Sequence, residues 1–176
     1  MIISLIGFMA AGKTTIGKQL AKRLDYQFID LDQYIEAKTK MFVKDIFNKK
    51  GEKYFRKLES KYLNDILSKS DNLVISPGGG IVLKDENIKN LKKNTKPFLL
   101  TASADTILDR IDKIEERPLL DNKSPKKTIE KLLDKRAKYY NQFKNVINTD
   151  DKEINEIVDE IILKLESLKW KILKLR

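Results

Sequence analysis

The sequence predicts an α/β fold, a three-layer α/β/α sandwich built on a five-stranded parallel sheet. Three observations carry this. Short apolar runs alternate with stretches of helical periodicity, the pattern of successive βα units. At 176 residues, 41% of them hydrophobic, the chain has about the length at which one domain buries a full core. No repeat, low-complexity tract or Pro/Gly/Ser-rich linker divides it, so residues 1–176 are expected to form a single domain.

The apolar runs place strands at Ile2–Ile6, Tyr26–Asp30, Asn72–Ser76, Pro97–Thr101 and Asn145–Asn148. Helical spacing places helices at Lys13–Leu24, Gln33–Lys38, Glu52–Leu67, Ala104–Asp112 and Thr128–Tyr140. A last helix sets Ile154, Ile157, Val158, Ile161, Ile162, Leu165 and Leu168 on one face, a stripe expected to pack on the core. The Lys-rich end Lys169–Arg176, with Trp170, is expected to fray.

Composition narrows the chemistry. With no Cys and no His, a disulfide framework, a thiolate metal site, a cysteine nucleophile and a Ser–His–Asp triad are all excluded. Carboxylates, Lys, Arg, hydroxyls, backbone amides and hard cations remain. The formal charge of +10 raises the question of nucleic acid, but Lys and Arg never run more than two together and acids are interleaved throughout. No nucleic-acid partner is expected. The apolar start Met1–Ala11 lacks a basic leader and runs into Gly12-Lys13, and no stretch reaches the length needed to cross a bilayer, so no membrane association and a cytoplasmic location are expected. No hydrophobic stripe is left over, which points to a monomer.

Gly7-Phe8-Met9-Ala10-Ala11-Gly12-Lys13-Thr14 matches G-x-x-x-x-G-K-[ST] between an apolar strand and a helix. The glycines let the chain turn tightly, so that consecutive N–H groups and the helix N-terminus face phosphate oxygens. Ala10, Ala11, Gly12, Lys13, Thr14 and Thr15 are the predicted nucleotide cradle. Lys13 is expected to reach the β- and γ-phosphates and Thr14 to set its hydroxyl on Mg²⁺. This makes the expected fold that of a P-loop NTPase. No N-K-x-D or suitably placed D-x-x-G supports a GTPase, and a compact P-loop domain is most economically a small ATP-dependent kinase.

Three further features describe an acceptor side. Asp30 and Asp32 end a strand, where parallel sheets bind ligands. Asp30 fits the Mg²⁺ side and Asp32 a substrate hydroxyl, with the alternative that one of them only caps the following helix. Gly78-Gly79-Gly80 follow another strand and permit close backbone approach. Arg56, Arg110, Arg117 and Arg136 stand in a chain with thirty Lys and only six Arg, where a bare positive charge would have been Lys. Arg117 lies in the polar stretch Lys113–Lys127, a lid from which it can reach a transferring phosphoryl group.

Across nearly the whole chain these motifs resemble the shikimate kinase family. Gly7–Thr15 resembles its P-loop, with Ala10 where many members have Gly, and Ile29–Asp32 its D-x-D segment. Arg56-Lys57-Leu58-Glu59, Leu63 and Val74–Val82 match its signature, Arg117-Pro118-Leu119-Leu120 its lid, and Lys135–Tyr140 its late Arg-containing helix. The resemblance implies a nucleoside monophosphate kinase-like fold with a lid, whose acceptor helices surround Val43–Leu67. It implies transfer of the ATP γ-phosphate to the 3-hydroxyl of shikimate, on the way to chorismate and the aromatic amino acids. Arg56 and Arg136 would grip the shikimate carboxylate, and Asp32 would bind its hydroxyls and act as base or orienting group. Gly78, Gly79 and Gly80 would contact the substrate, Arg110 would pack on adenine, and Lys13, Asp32 and Arg117 would be catalytic. Asn148-Thr149-Asp150-Asp151 occupies the adenine-loop segment without the Arg and Pro common there. Two other readings stand beside this one: another small-metabolite kinase, such as one for gluconate, and a non-catalytic nucleotide-binding module. The module predicts loss of Lys13, Asp32 or Arg117, and all three are present.

Overall fold

A computed structural model describes residues 1–69, 71–111, 120 and 124–173, with side chains up to residue 167. Its strands are β1 (Ile2–Gly7), β2 (Gln27–Asp30), β3 (Leu73–Ser76), β4 (Lys96–Thr101) and β5 (Val146–Asn148). All pair in parallel, in the order β2-β3-β1-β4-β5. Its helices are α1 (Lys13–Leu24), α2 (Leu31–Thr39), α3 (Val43–Lys50), α4 (Glu52–Lys69), α5 (Asp85–Asn94), α6 (Ala104–Asp109), α7 (Pro125–Tyr140) and α8 (Ile154–Leu173). A 3-10 turn, Ile81–Leu83, precedes α5.

Strand alternation splits the core into two layers. Ile3 and Leu5 of β1 join Val74, Phe98 and Leu100 beneath α1 and α8. Ile2 and Ile6 join Leu73, Ile75 and Leu99 against the remaining helices. Every residue of β1 is buried, as befits a central parallel strand covered on both faces. The polar Ser4 is tolerated there because its hydroxyl and that of Thr95 share a 2.7 Å hydrogen bond.

The chain leaves β1 toward one layer and β3 toward the other. Their carboxyl ends therefore border a crevice, the position at which such sheets bind ligands.

Several boundaries differ from those predicted. α2 begins at Leu31 rather than Gln33, because the Asp30 carboxylate accepts from the N–H groups of Asp32 (3.0 Å) and Gln33 (3.3 Å) and starts the helix earlier. α7 begins at Pro125 rather than Thr128, with proline in the first turn where no N–H is needed. α6 closes at Asp109 with Arg110 as its cap, while Asp112 lies outside the described residues. Two helices are added to those that helical spacing predicts, the first of them in the Val43–Leu67 region where the resemblance implies acceptor helices. α3 buries only Ile46 among its residues, and α5 buries Ile88 and Leu91 within a Lys-rich run, so neither carries a full apolar stripe. α8 continues to Leu173, past the predicted fraying point at Lys169, and Ile154 is exposed rather than packed.

Candidate active site

β1 delivers the chain into the phosphate cradle. Gly12 has φ +88°, a conformation glycine adopts without strain, and it serves as the N-cap of α1. Ala10 takes φ +57°, the left-handed region, without being glycine. Lys13 is buried and its Nζ donates to the Phe8 carbonyl at 2.7 Å, so the ammonium lies back across the loop it serves. Thr14 Oγ1 donates to Asp30 Oδ2 at 2.7 Å. Asp30 thus does both things the sequence left open: one oxygen caps α2 and the other faces the cradle.

Two adjoining cavities occupy the crevice. One of about 460 Å³ runs from the cradle past Asp30 and Ser76–Gly79 to Arg110, Lys152, Ile154 and Ile157. The other, about 660 Å³, lies beneath α3 and α4 and is lined by Arg56, Glu59, Arg136, Glu36, Phe47 and the glycine run. Asp32, Met9, Gly78 and Gly79 belong to both walls. Asp32 therefore borders both the phosphate-side and the acceptor-side space.

The acceptor cavity is a buried charge network. Arg56 Nη1 donates to Glu59 Oε2 at 2.6 Å, and its Nε and Nη2 donate to Glu52 Oε1 at 3.1 and 2.9 Å. Its guanidinium lies 5.8 Å from the centre of the Phe47 ring and 5.4 Å from that of Phe55. Arg136 is only 3% exposed, sits 5.2 Å from the Phe8 ring centre and donates through Nη1 to the Gly79 carbonyl at 3.3 Å. Tyr140 Oη donates to that same carbonyl at 2.9 Å.

Gly78 fits between two carboxylates. A Cβ there would lie 2.7 Å from both Asp32 Oδ1 and Glu59 Oε1. Those two oxygens are buried and have no hydrogen-bond partner. Burial, then the charge of Asp30, push Asp32 up to about 6, while Lys13 and Arg56 pull it down. Burial pushes Glu59 up to about 7 against the pull of Arg56. Arg56 itself is raised: its two carboxylate partners outweigh its own desolvation. The cavity is lined by the side chains of Arg56 and Arg136 together with the carboxylates of Asp32 and Glu59. Such a set suits a small molecule carrying both a carboxylate and hydroxyls.

A family model of shikimate kinase matches residues 9–166. A shikimate kinase of Caldanaerobacter subterraneus subsp. tengcongensis is 43% identical over 160 residues, which cover 91% of this chain and 93% of that one. The chain belongs to the shikimate kinase family. One from Thermus thermophilus is 41% identical over 164 residues, covering 93% and 89% of the two chains. Among solved structures, shikimate kinase from Acinetobacter baumannii in complex with shikimate superposes with a TM-score of 0.91 at 33% identity, over 96% of this chain and 94% of that one. The Aquifex aeolicus enzyme gives 0.80 at 34% identity, over 97% and 99%. A gluconokinase from Sinorhizobium meliloti, at 15% identity and a TM-score of 0.59, shares the fold alone. With its family the chain is an ATP-dependent kinase on the nucleoside monophosphate kinase-like P-loop fold.

The crevice brings together Ala10, Gly12, Lys13, Thr14, Thr15, Asp30, Asp32 and Arg110 around one cavity, and Arg56, Gly78, Gly79, Gly80 and Arg136 around the other. Ala11 is buried in the core beneath the loop rather than lining it. Arg110 donates to Thr149 Oγ1 (3.0 Å) and the Thr149 carbonyl (2.8 Å), tying α6 to the segment after β5. Arg117, with most of the predicted lid, lies outside the described residues. Sequence reasoning did not single out Glu52, Glu59, Tyr140 or Lys152. Glu52, Arg56 and Glu59 follow one another at i+4 and i+3 on α4, a spacing that announces an ion-pair ladder on one helix face.

Proposed function

We propose that this chain transfers the γ-phosphate of ATP to the 3-hydroxyl of shikimate. The observation that carries the reading is the placement of Asp32 on the wall common to both cavities, with Arg56 and Arg136 on the acceptor side. Lys13 and the amides of residues 10–15 hold the phosphates of ATP. Arg56 and Arg136 grip the shikimate carboxylate, and Gly78, Gly79 and Gly80 let its ring approach the backbone. Asp32, raised toward neutrality yet largely ionised at pH 7.5, orients the attacking hydroxyl and takes its proton. Arg110 packs on adenine, and Arg117 reaches the transferring phosphoryl group from the lid.

The residues present fit Mg²⁺. Thr14 and Asp30 set a hydroxyl and a carboxylate side by side at the cradle, hard oxygen donors of the type this ion takes. Among the described residues no cluster of three or more acidic side chains gathers to hold a metal without help from phosphate oxygens. Bound there, the ion neutralises charge on the β- and γ-phosphate oxygens.

Among the described residues no helix is long and apolar enough to cross a membrane. We further propose a monomeric, single-domain enzyme of the cytoplasm acting on small molecules, with no nucleic-acid or membrane partner, on the even spread of charge along the sequence. The test is a coupled ADP-release assay with Mg²⁺ and shikimate, gluconate or no acceptor. Shikimate-dependent turnover is expected; its absence, or faster turnover with gluconate, overturns the reading.

A further inference from the structure

Arg136 and Tyr140 stand one turn apart on α7, and both donate to the Gly79 carbonyl, at 3.3 and 2.9 Å. Both are buried, at 3% and 7% exposure, so the two acceptor positions of this carbonyl are filled by protein. The two donors are not equivalent. The Tyr140 ring is fixed in the core on the helix-rich side of the sheet, whereas the Arg136 guanidinium faces the acceptor cavity. Arg136 makes the longer bond, through one N–H of the same planar fork that a carboxylate would engage.

We propose that Tyr140 is a positioning residue for the acceptor site: its hydroxyl holds the Gly79 peptide while Arg136 turns to the substrate carboxylate. The inference rests on the role given to Arg136 under the proposed function. A guanidinium that forks onto a carboxylate loses its alignment with Gly79, and a buried carbonyl stripped of every donor is costly. Tyr140 supplies the donor that stays. In doing so it keeps Gly78 seated between Asp32 and Glu59, where a small shift of the backbone moves both carboxylates. Burial pushes the Tyr140 hydroxyl up to about 12, so it remains a donor throughout the working pH range.

Tyr140→Phe removes the hydroxyl and keeps the ring. Without ligand, Arg136 still satisfies Gly79, so the melting temperature and ATP binding stay near those of the wild type. Shikimate affinity, measured by calorimetry without nucleotide, falls about tenfold, the cost of leaving a buried carbonyl unpaired. Shikimate methyl ester, whose neutral group does not recruit Arg136, binds both proteins equally. An equal loss on both ligands, or no loss on shikimate, overturns the proposal. A wild-type protein that binds ester and acid alike overturns the carboxylate assignment beneath it, a failure visible without any variant. Should Tyr140→Phe not fold, 3,5-difluorotyrosine at position 140 preserves the shape and ionises at lower pH. Shikimate binding, but not ester binding, then weakens as pH rises past that ionisation, and parallel behaviour of the two ligands overturns the proposal.

Discussion

Replacing Gly78 by alanine tests whether the acceptor site depends on a carboxylate pair held against bare backbone. Gly78 is not among the positive-φ residues, so its backbone conformation is open to alanine and only space is at issue. A Cβ would meet Asp32 Oδ1 and Glu59 Oε1 at 2.7 Å, against about 3.4 Å for ordinary contact. Each oxygen must therefore retreat by about 0.7 Å, or the loop must lift by a similar amount. Glu59 is 1% exposed and bound to Arg56 at 2.6 Å, so it has little freedom to move. Asp32 is the group that gives way, and it is also the group proposed to orient the attacking hydroxyl. Overpacking of this kind costs about 1–3 kcal/mol of stability, or a fall in Tm of about 2–10 °C for a chain of this size. Misplacing a reacting group by nearly 1 Å costs about a hundredfold in rate. In a coupled assay, kcat/KM for shikimate should fall about a hundredfold while the folded protein still binds ATP. A variant within threefold of wild type would refute the claim that this contact sets the position of Asp32.

Arg56→Lys keeps the charge but loses the fork that now reaches Glu52 and Glu59 through three nitrogens; the KM for shikimate should rise at least about tenfold with the KM for ATP little changed, and an unchanged shikimate KM removes Arg56 from carboxylate binding. Activity and stability should move oppositely with pH. Asp32 and Glu59, at about 6 and 7 in the folded protein against ordinary values of 3.8 and 4.5, bind protons more tightly when folded. The stability they contribute is complete below about pH 4 and lost as pH rises to about 7, whereas kcat/KM rises through pH 6 as Asp32 ionises. Asp32→Asn should therefore raise the melting temperature at pH 8 while removing most of the turnover; a variant less stable at pH 8 contradicts the assignment. Ala10→Gly relieves a left-handed alanine at φ +57° and should stabilise by about 0.5–1 kcal/mol, after allowing for the greater freedom of glycine in the unfolded chain. A lower melting temperature for that variant would count against strain in the loop.

What could be read from the sequence follows from the range of the forces involved. β1, the cradle and α1 are written in consecutive residues: an apolar run, a spaced motif and an amphipathic helix. The two added helices are not. The cap residue of α3, Phe42, has no side chain that can accept, and the Val43 N–H is instead received at 2.8 Å by Glu36, seven positions earlier on α2. α5 reads as a polar lysine-rich stretch because only Asn87, Ile88 and Leu91 of its ten residues are buried. The same holds for chemistry. Asp32 was visible as one of two acids ending a strand, but its displacement toward neutrality comes from burial under α3 and α4 and from Asp30 beside it. Glu59 lay in plain view on α4. Its importance arises only when that helix sets it against Gly78, a contact between residues nineteen positions apart.

The charge of the whole chain is a poor guide to the charge of its site. The chain carries +10, yet the acceptor cavity is lined by Asp32, Glu36, Asp45 and Glu59 against Lys44, Arg56 and Arg136. The lining is therefore close to balanced in charge, unlike the chain as a whole. Under the proposed function, capture falls to two arginines: Arg56, held between Glu52 and Glu59 and flanked by two aromatic rings, and Arg136, which packs on Phe8 and turns from Gly79 to the ligand. The surplus of carboxylates then has its own meaning. Lining the cavity, they offer acceptors that an acid without hydroxyls would leave unused. A small carboxylic acid bearing several hydroxyls satisfies both halves of the cavity at once. On the proposed function, arginine, aspartate and close backbone serve this recognition, and none of it calls for histidine or cysteine.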